Sequence, residues 1–501
     1  MSAATDPAGS RAADDTQVVV VGAGPVGLML AGELRLGGAQ VVVLERREAP
    51  TTESRASTLH ARTMEMFDAR GLLTDLGTPP NEPRGHFGGV PMDLTLPSLH
   101  PGQWKVPQTR TEELLQKWAL SLGADLRRGW EVRALTDTGD GVEVVAAGPE
   151  GERRLRAAWV VACDGQDSTV RGLLGADFPG RAAVRELLRA DVEGIAVADR
   201  RFERLPNGLA IASRMPGGVT RVMVHAFGRP AGRRTGEPGF AEVVETWRHV
   251  TGEDIGHGRP VWVNAFDDAN RQLASYRHGR VLFAGDAAHV QMPSGGQALN
   301  LGLQDAANLG WKLALEVGPH RVEGLVDTYH AERHAVGSRV LANIRAQGLL
   351  LLGGPEVEPV RALLAELLAA EGAREHLAGM ISGLDIRYPA DPEPGHPLTG
   401  ARLPDLELDT ATGPATTAEL LRPGGGLLLD LVGRPGMQRL AQAWSGRVTT
   451  VAVRPSRAAT ATLAAEAVVV RPDGYVAWAG AGQDAVPGVL RRWFGTPLPD
   501  R

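Results

Sequence analysis

Three glycines in the spacing G-x-G-x-x-G, at Gly22, Gly24 and Gly27, follow a run of valines. The first glycine allows a tight turn, the second lets the backbone approach a pyrophosphate, and the third lets a helix pack on the strand. Pro25 suits the first turn of that helix, where an N–H would lack a partner. Glu45 ends the next apolar run, where an acid can bind a ribose hydroxyl. The spacing predicts a dinucleotide site and leaves open whether FAD or a nicotinamide occupies it.

Two more turns at the ends of apolar runs carry an aspartate beside a glycine. Asp164 follows Val160–Cys163, and Asp286 comes one glycine after Val281–Ala284. Turns of this composition are common, but a carboxylate at a strand end can accept a hydrogen bond from a ribityl or ribose hydroxyl. Both turns are therefore predicted to lie near the dinucleotide.

The segment Pro293–Asn300 contains two adjacent glycines, Gly295 and Gly296, and leads into an apolar-faced helix. The first turn of a helix offers N–H donors and the positive end of the helix dipole. We therefore predict that this segment faces an anionic ring or a phosphate.

Several single side chains have both a functional and an ordinary interpretation. Arg55 and Arg62 could each reach a phosphate or remain solvated on the surface. His289 could act as a base or serve as a structural histidine beside a strand end. Three apolar residues of the central segment could line a substrate pocket or form plain core: Met223, Trp262 and Phe266.

Length and composition exclude several classes of function. A chain of 501 residues predicts two to four domains, and a net charge of −6 without a basic run argues against a nucleic-acid partner. Cys163 is the only cysteine, which excludes an intramolecular disulfide, a dithiol pair and a cysteine metal cage, and no metal-binding spacing occurs. The sequence has no apolar run long enough to span a membrane. A cytoplasmic protein is predicted, with no metal and no membrane partner.

The order of apolar runs and helical patterns predicts an α/β fold. Residues 1–15 are predicted to be a disordered leader, and residues 16–175 and 278–390 to form a discontinuous Rossmann-like dinucleotide-binding domain. Residues 176–277 are predicted to form an inserted antiparallel-sheet domain that binds substrate, and residues 396–501 a thioredoxin-like domain without cysteines. A meander of four strands is predicted within the first domain: Glu131–Leu135, Val142–Ala146, Arg154–Ala157 and Trp159–Cys163.

The three motifs, taken in order, resemble those of class A flavoprotein monooxygenases of the para-hydroxybenzoate hydroxylase type. Four other stretches narrow the resemblance to FAD-dependent aromatic polyketide hydroxylases, especially those that act on angucyclinones: Arg62-Thr63-Met64-Glu65, Gly85-His86-Phe87-Gly88-Gly89, Val106-Pro107-Gln108 and the stretch from Asp327 to His334. The resemblance covers residues 16–498.

This resemblance implies FAD at the glycine-rich turn, with Glu45 on the adenosine ribose, Gln108 and Asp286 along the dinucleotide, and the 293–300 loop beside the isoalloxazine. Further implied cofactor contacts are Pro25, Arg46, Arg55, Arg62, Val132, Asp164, Arg171, Pro293, Gly295, Gly296, Ala298, Leu299 and Asn300. One position departs from the family pattern, because Ala298 stands where the family usually has glycine. Its methyl group is expected to crowd the flavin or shift its in/out equilibrium, without preventing FAD from binding.

The resemblance also implies a reaction. NADPH would dock transiently and reduce FAD, and molecular oxygen would then form a flavin C4a-hydroperoxide that hydroxylates an aromatic, angucyclinone-like polyketide in antibiotic biosynthesis. The protein would have to exclude water from that intermediate and hold the ring carbon in reach. His289 and Pro293 are the candidates for a catalytic role, and the substrate's own phenol is an alternative to any protein base.

Three alternatives remain open at this point. A Baeyer–Villiger oxygenase on the same scaffold would insert oxygen into a polyketide ring ketone. A flavin reductase or dehydrogenase would need no oxygen, and a flavin-binding scaffold would catalyse nothing. The sequence also leaves open which carbon is oxidised and whether the reductant is NADPH or NADH. It does not determine the oligomeric state either, with a homodimer among the possibilities.

Overall fold

The structure is a computed structural model that describes residues 14–52, 56–232, 236–389, 395–434, 436–454 and 462–498. Most of the predicted leader, residues 1–13, lies outside the described residues, as does Arg55. Asp14 and Asp15, which the prediction assigned to that leader, belong instead to the first strand.

The first part of the chain contains eleven strands and five helices among its described residues. The strands are β1 (Asp14–Val21), β2 (Val41–Glu45), β3 (Thr58–His60), β4 (Asn81–Glu82), β5 (Arg84–Phe87), β6 (Val90–Asp93), β7 (Gln103–Lys105), β8 (Asp125–Arg128), β9 (Glu131–Asp137), β10 (Val142–Gly148) and β11 (Gly151–Ala162). The helices are α1 (Pro25–Leu36), α2 (Ala61–Asp68), α3 (Leu73–Leu76), α4 (Gln108–Ser121) and α5 (Thr169–Leu173).

The middle part forms an antiparallel sheet with one covering helix. Its strands are β12 (Gly180–Arg181), β13 (Glu186–Glu193), β14 (Arg200–Leu205), β15 (Gly208–Arg214), β16 (Val219–Ala226), β17 (Arg259–Asp267) and β18 (Asn270–Gln272), and its helix is α6 (Phe240–Thr251). Five of these strands pair in the order β14-β15-β16-β13-β17, all antiparallel. One face of this sheet packs on α6 through Trp247 and Val243, which are fully buried.

The chain then returns to the first sheet and ends in a smaller sheet. The returning elements are β19 (Arg277–His278), β20 (Val281–Phe283), β21 (His289–Val290), α7 (Gln297–Val317), α8 (Asp327–Leu352), α9 (Glu358–Leu367) and α10 (Glu371–Ser382). The C-terminal elements are β22 (Glu407–Thr410), β23 (Gly413–Thr416), α11 (Thr417–Leu421), β24 (Gly426–Asp430), α12 (Met437–Gln442), β25 (Val448–Ala452), β26 (Ala467–Val470), β27 (Val476–Gly480) and α13 (Val486–Phe494).

The central sheet is mostly parallel and has the order β19-β20-β11-β1-β2-β8, with β10 and β9 joined to it through β11. Its strands are valine-rich because both faces are covered, and Val18, Val19 and Val20 are fully buried. Helices α1 and α7 pack on each other against this sheet. The fold is therefore mixed α/β, with a parallel core and several antiparallel sheets.

Strand β11 differs from the prediction in one respect. Arg154–Ala157 and Trp159–Cys163 were predicted as separate strands, whereas residues 151–162 form one continuous strand. Its first half pairs with β10 and its second half with β1 and β20, so one strand serves the meander and the parallel sheet. Among the described helices, none has both the length and the apolar composition needed to cross a membrane.

Buried charges join the C-terminal part to the first sheet. Glu332 of α8 accepts hydrogen bonds from Arg471 at 2.6 and 2.8 Å and from Lys312 of α7 at 2.7 Å. Asp473 also binds Arg471, and all these side chains are nearly excluded from solvent. Burial alone would raise the pKa of Glu332, but Arg471 and Lys312 outweigh it and hold that pKa well below its usual range. The two parts are therefore locked together by a compensated ionic cluster.

Replacing Glu332 tests how much this cluster stabilises the protein. Glu332→Gln keeps the side chain's shape but leaves Lys312 and part of Arg471 buried without a counter-charge. We expect a loss of about 3–5 kcal/mol in the free energy of unfolding, measured by urea denaturation. The matched control is Asp75→Asn, which breaks the exposed Lys117–Asp75 pair and should cost less than about 1 kcal/mol. Equal losses in the two variants would contradict this account of the interface.

Candidate functional site

Three strand ends bring the predicted motifs to one edge of the central sheet. In the register of the sheet, Val21 of β1 lies opposite Ala162 of β11, which lies opposite Phe283 of β20. The glycine-rich turn, the Asp164 turn and the Asp286 turn each follow within three residues. Because the strands are parallel, all three turns leave the same edge, where α/β proteins bind ligands.

In the glycine-rich turn, two glycines pack closely against neighbouring backbone and one borders open space. A Cβ on Gly22, whose φ is +102°, would lie 2.5 Å from the Cys163 carbonyl oxygen, and one on Gly27 would lie 2.0 Å from the Gly22 oxygen. A Cβ on Gly24 would meet no described atom within 4 Å. The first and third glycines therefore serve close backbone packing, while the second leaves space beside the N-terminus of α1. That is where a pyrophosphate can approach the helix's N–H groups.

Glu45 is fixed beside this turn at the end of β2. Its Oε2 accepts from the N–H of Ala23 at 2.8 Å, and its Oε1 accepts from the N–H of Arg47 at 2.9 Å. The half-buried carboxylate thus lies between the end of β2 and the turn, and its contact with a ribose stays a prediction. Arg46 follows it and is exposed.

Gln108 and Val132 lie on elements next to β2. Gln108 begins α4, where its Oε1 accepts from the N–H of Ala56 at 3.2 Å and its Nε2 donates to Glu112 at 2.9 Å. Val132 is buried on β9, and the preceding Trp130 N–H donates to the Glu45 carbonyl. The start of β9 therefore lies beside the end of β2, and the cofactor contacts of Gln108 and Val132 stay predictions.

Asp164 supports its own turn. Its carboxylate accepts from the Ser168 hydroxyl at 2.6 Å and from the Val170 N–H at 3.1 Å, and burial raises its pKa. Arg171, on the helix that follows, donates to the Ala287 carbonyl at 3.1 Å and stacks on the Phe178 ring. These contacts show Asp164 organising the start of α5 and Arg171 linking two of the three turns.

Asp286 and His289 flank the end of β20 in different environments. Asp286 is exposed on a short 3-10 turn, while His289 is 1% exposed and lies 2.7 Å from Asp305 through its Nε2. Asp305 also binds Arg333 at 2.7 Å, so His289 belongs to a buried ionic cluster. Asp286 can reach a ligand at the sheet edge. A role of His289 as a base stays untested, and its described contacts are structural.

The side chain of Asn300 holds the loop before α7 against neighbouring elements. Its Oδ1 accepts from the His60 N–H at 2.8 Å and the Thr63 hydroxyl at 2.7 Å. Its Nδ2 donates to the carbonyls of Thr58 at 3.0 Å and Gly296 at 2.7 Å. With both amide hydrogens and the oxygen engaged by the chain, Asn300 anchors the loop and leaves its backbone for a ligand.

The rest of this loop presents backbone to its surroundings. Gly295 and Gly296 have φ values of +61° and +71°, which favour glycine. Pro293 is exposed, while Ala298 and Leu299 are half-buried in the first turn of α7. The N–H groups of such a turn have no partner within the helix, so they can donate to an anionic ring edge. Beneath the loop, burial lowers the pKa of His60 to about 4, so that its imidazole is neutral at pH 7.

The cofactor contact of Arg62 stays a prediction, and the structure gives its guanidinium other partners. Arg62 is buried, and it donates to Glu65 at 3.0 Å and to the Asp473 carbonyl at 2.7 Å, with its guanidinium stacked on Tyr475. These partners lie at the interface with the C-terminal part. The sequence could not reveal this because the interface joins residues more than 400 positions apart.

The three predicted substrate residues share one face of the middle sheet, the face opposite α6. Met223 and Phe266 pack near Met292, which directly precedes the flavin-facing loop that the sequence predicts. Trp262 and Phe266 flank the guanidinium of Arg189, with distances of 4.5 and 5.5 Å from its central carbon to the ring centroids. The structure thus brings the three residues to the same face, and it adds Arg189 as a polar group that sequence reasoning missed. Local sequence gave no clear signal for Arg189, because four of the eight residues of its strand, β13, are charged.

The geometry fits FAD at the edge of the central sheet. The space at Gly24, the oriented carboxylate of Glu45 and the N–H groups of Ala298 and Leu299 match a pyrophosphate, a ribose and an anionic ring in turn. The glycine-rich turn lies against both the Asp286 turn and α7, because a Cβ on Gly285 would lie 2.9 Å from Val26 and one on Gly302 would lie 2.7 Å from it. The sites for the two ends of a dinucleotide therefore belong to one continuous edge.

Comparisons with known proteins agree with this geometry. Residues 15–344 match the family model described as FAD binding domain, and residues 396–497 match that of the aromatic-ring hydroxylase C-terminal domain. A 12-dehydrotetracycline 5-monooxygenase/anhydrotetracycline 6-monooxygenase of Streptomyces rimosus subsp. rimosus is 42% identical, with 96% of this chain and 99% of that protein covered.

Two other relatives have names that describe different enzymes. The crystal structure of CabE, an aromatic hydroxylase from angucycline biosynthesis, is 49% identical with a TM-score of 0.92, and covers 97% of this chain and 100% of its own. A dialkyldecalin synthase of Streptomyces rugosporus is 38% identical, with 95% and 98% covered. The chain belongs to the FAD-binding aromatic-ring hydroxylases and is a flavin-dependent monooxygenase of the aromatic polyketide hydroxylase group.

Proposed function

We propose that this enzyme uses FAD, NADPH and molecular oxygen to hydroxylate an angucyclinone-like aromatic polyketide in antibiotic biosynthesis. The observation that carries the proposal is the open space at Gly24 between two closely packed glycines, because it fits a bound dinucleotide. The name of CabE, a similar aromatic hydroxylase from angucycline biosynthesis, supports the substrate class.

Residues of the sheet edge would hold the cofactor. The Gly22–Gly27 turn and the N-terminus of α1 would bind the pyrophosphate, Glu45 the adenosine ribose, and Asp286 a hydroxyl of the ribityl chain. The N–H groups of Ala298 and Leu299 would face the isoalloxazine. When bound, FAD would supply hydride acceptance from NADPH and the activation of oxygen.

The middle sheet would hold the substrate against this edge. Met223, Trp262 and Phe266 provide an apolar and aromatic surface that can stack on a fused-ring ligand. Arg189 is buried between two aromatic rings and can stabilise a phenolate oxygen by charge. Packing of Met223 and Phe266 near Met292 would exclude water from the space between sheet and loop, which protects a reactive oxygen species from side reactions.

We also propose that the C-terminal part is thioredoxin-like. Its four-stranded sheet has the order β25-β24-β26-β27, with β24 parallel to β25 and antiparallel to β26. Since Cys163 is the chain's only cysteine, this part carries no dithiol, and its buried contacts with α7 and α8 give it a structural role.

The proposed reaction is tested by incubating the purified enzyme with FAD, NADPH, an angucyclinone panel and ¹⁸O-labelled oxygen. We expect a product that carries one labelled hydroxyl on an aromatic ring, located by mass spectrometry and NMR. Ring expansion in the NMR spectrum would establish the Baeyer–Villiger alternative instead. A product without label would favour a cyclisation such as the name dialkyldecalin synthase describes for its relative. Either result would contradict hydroxylation.

Gly24→Ala tests the cofactor site without disturbing the fold. The new methyl group meets no described atom, so the free energy of unfolding should change little, whereas the pyrophosphate would lose its close approach to the backbone. We expect FAD affinity to fall by about 100-fold, which corresponds to about 2.7 kcal/mol, as measured by flavin fluorescence titration. Gly488→Ala, which also adds a methyl group in open space but lies on α13, is the control and should bind normally. Unchanged FAD affinity in Gly24→Ala would contradict the proposed site.

Trp262→Ala tests the substrate wall. Loss of a stacking ring should lower kcat/KM for the polyketide by at least about tenfold, with FAD affinity unchanged, in steady-state oxygen-consumption assays. The neighbouring Val261 is 53% exposed, so Val261→Ala should leave kcat/KM near the wild-type value. If both variants behave alike, the middle sheet does not bind the substrate as proposed.

A further inference from the structure

A second cavity lies behind the 293–300 loop, between α7, α8 and the segment that follows α10. Its volume is about 200 Å³. Its walls are mainly apolar side chains with a few amides: Leu301, Val336, Val340, Met380, Ile381 and Ile386, with Gln297, Gln304 and Asn343. None of the residues assigned above to substrate binding, Met223, Trp262 or Phe266, lines it. The cavity is therefore a separate feature that the proposed reaction does not use.

Two buried amides in this cavity have unused hydrogen-bonding atoms. Gln297 and Gln304 are 3% and 6% exposed, and both line the cavity. Among the described residues, neither Nε2 of Gln297 nor Oε1 of Gln304 has a hydrogen-bond partner. A buried polar atom without a partner costs free energy, which a ligand that pairs with it recovers. One atom is a donor and the other an acceptor.

The buried charges around the cavity are already compensated. Glu332 is bound by Arg471 and Lys312, and Arg339 is paired with Asp385 at the rim. Arg387 is exposed at the rim, where it donates to the carbonyls of Pro397 and Thr399. A charged ligand inside the cavity would therefore lose hydration without meeting a buried counter-ion that is still unpaired. These observations favour a neutral ligand with an apolar body.

We propose that this cavity binds a small, neutral, two-ring aromatic molecule that carries a hydroxyl group. A cavity of about 150 Å³ holds one benzene ring, so about 200 Å³ has room for two fused rings. The hydroxyl accepts from Gln297 Nε2–H and donates to Gln304 Oε1, while Val336 and Ile386 contact the rings. Pockets of this kind, apolar with a few placed polar groups, are typical of small-molecule sites.

A row of amides connects this site to the flavin-facing loop. Asn343 Nδ2 donates to Gln297 Oε1 at 3.2 Å, and Gln347 Nε2 donates to Asn343 Oδ1 at 3.1 Å. Ser294, within the loop, donates to Gln347 Oε1 at 3.2 Å. A ligand held by Gln297 therefore restrains the loop through this row, which gives the site a regulatory consequence for whatever the loop contacts.

Binding is tested with 1-naphthol as the probe, titrated into the purified full-length enzyme in an isothermal calorimeter. We expect saturable binding at one site. Val336→Trp, which fills the cavity, should weaken binding at least about tenfold, and Gln304→Leu, which removes the acceptor, about fivefold. The matched control is Ala342→Trp, at an exposed position of the same helix, and it should bind as the wild type does.

Three results would overturn the site. They are the absence of saturable binding to the wild-type enzyme, equal binding by Val336→Trp and Ala342→Trp, and unchanged binding by Gln304→Leu. Circular dichroism establishes that each variant is folded, and Gln304→Leu carries the test alone if Val336→Trp is not. The calorimetric signal does not require turnover, so its failure is distinct from failure of the proposed hydroxylation.

The connection to the loop has its own readout. On saturation with 1-naphthol, hydrogen–deuterium exchange at residues 293–300 should slow in the wild-type enzyme, as measured by mass spectrometry with fragmentation that separates Ser294 from Gln297. In Asn343→Ala, which interrupts the row, slowing should be confined to the region around Gln297. Exchange that stays unchanged in the wild type, or that slows equally at Ser294 in the variant, would contradict the connection.

Discussion

The parallel pairing of β1, β11 and β20 is the constraint on which the rest of the structure depends. It sets three strand ends side by side, with Val21, Ala162 and Phe283 in register. Backbone hydrogen bonds continue past these ends, from Cys163 N–H to Val21 and from Ala284 N–H to Ala162. The three turns therefore cannot shift independently, and any ligand at this edge meets all of them at once. Close packing of Gly22 against Cys163 then requires glycine at the first turn.

Buried polar side chains fix the positions of the loops, as the pairing of the strands fixes the positions of the turns. Asn300 ties the 293–300 loop to β3 and α2 through three hydrogen bonds, and a fourth joins it to Gly296 within the loop. Glu332 and Arg471 tie the C-terminal part to α7 and α8. Such groups are costly to leave without partners, so they define one arrangement of loop and interface. The 293–300 loop is thus braced from α2 on one side and from the amides of α8 on another.

Much of this arrangement could be predicted from local sequence, because its signals are local. The spacing of Gly22, Gly24 and Gly27 together with Glu45 predicted the strand, turn, helix and strand that the structure shows. The antiparallel sheet predicted for residues 176–277 is also present in the structure.

The sequence was less informative where partners are distant along the chain. Arg62 faces Asp473 and Tyr475, and no local pattern distinguishes that role from a phosphate contact. Residues 151–162 form one strand because β10 and β1 pair with its two halves, which a break in local apolar pattern concealed. Arg189 lies between Trp262 and Phe266 of another strand, and Asn300 is engaged by residues of β3 and α2. Such contacts depend on tertiary packing.

A crystal structure of the enzyme grown with FAD tests the central claim most directly. The account predicts electron density for the pyrophosphate beside Gly24 and the N-terminus of α1, for the adenosine ribose within hydrogen-bond distance of Glu45, and for the isoalloxazine beside Ala298 and Leu299. Crystals that hold flavin elsewhere, or a protein that takes up no flavin at all, would contradict it.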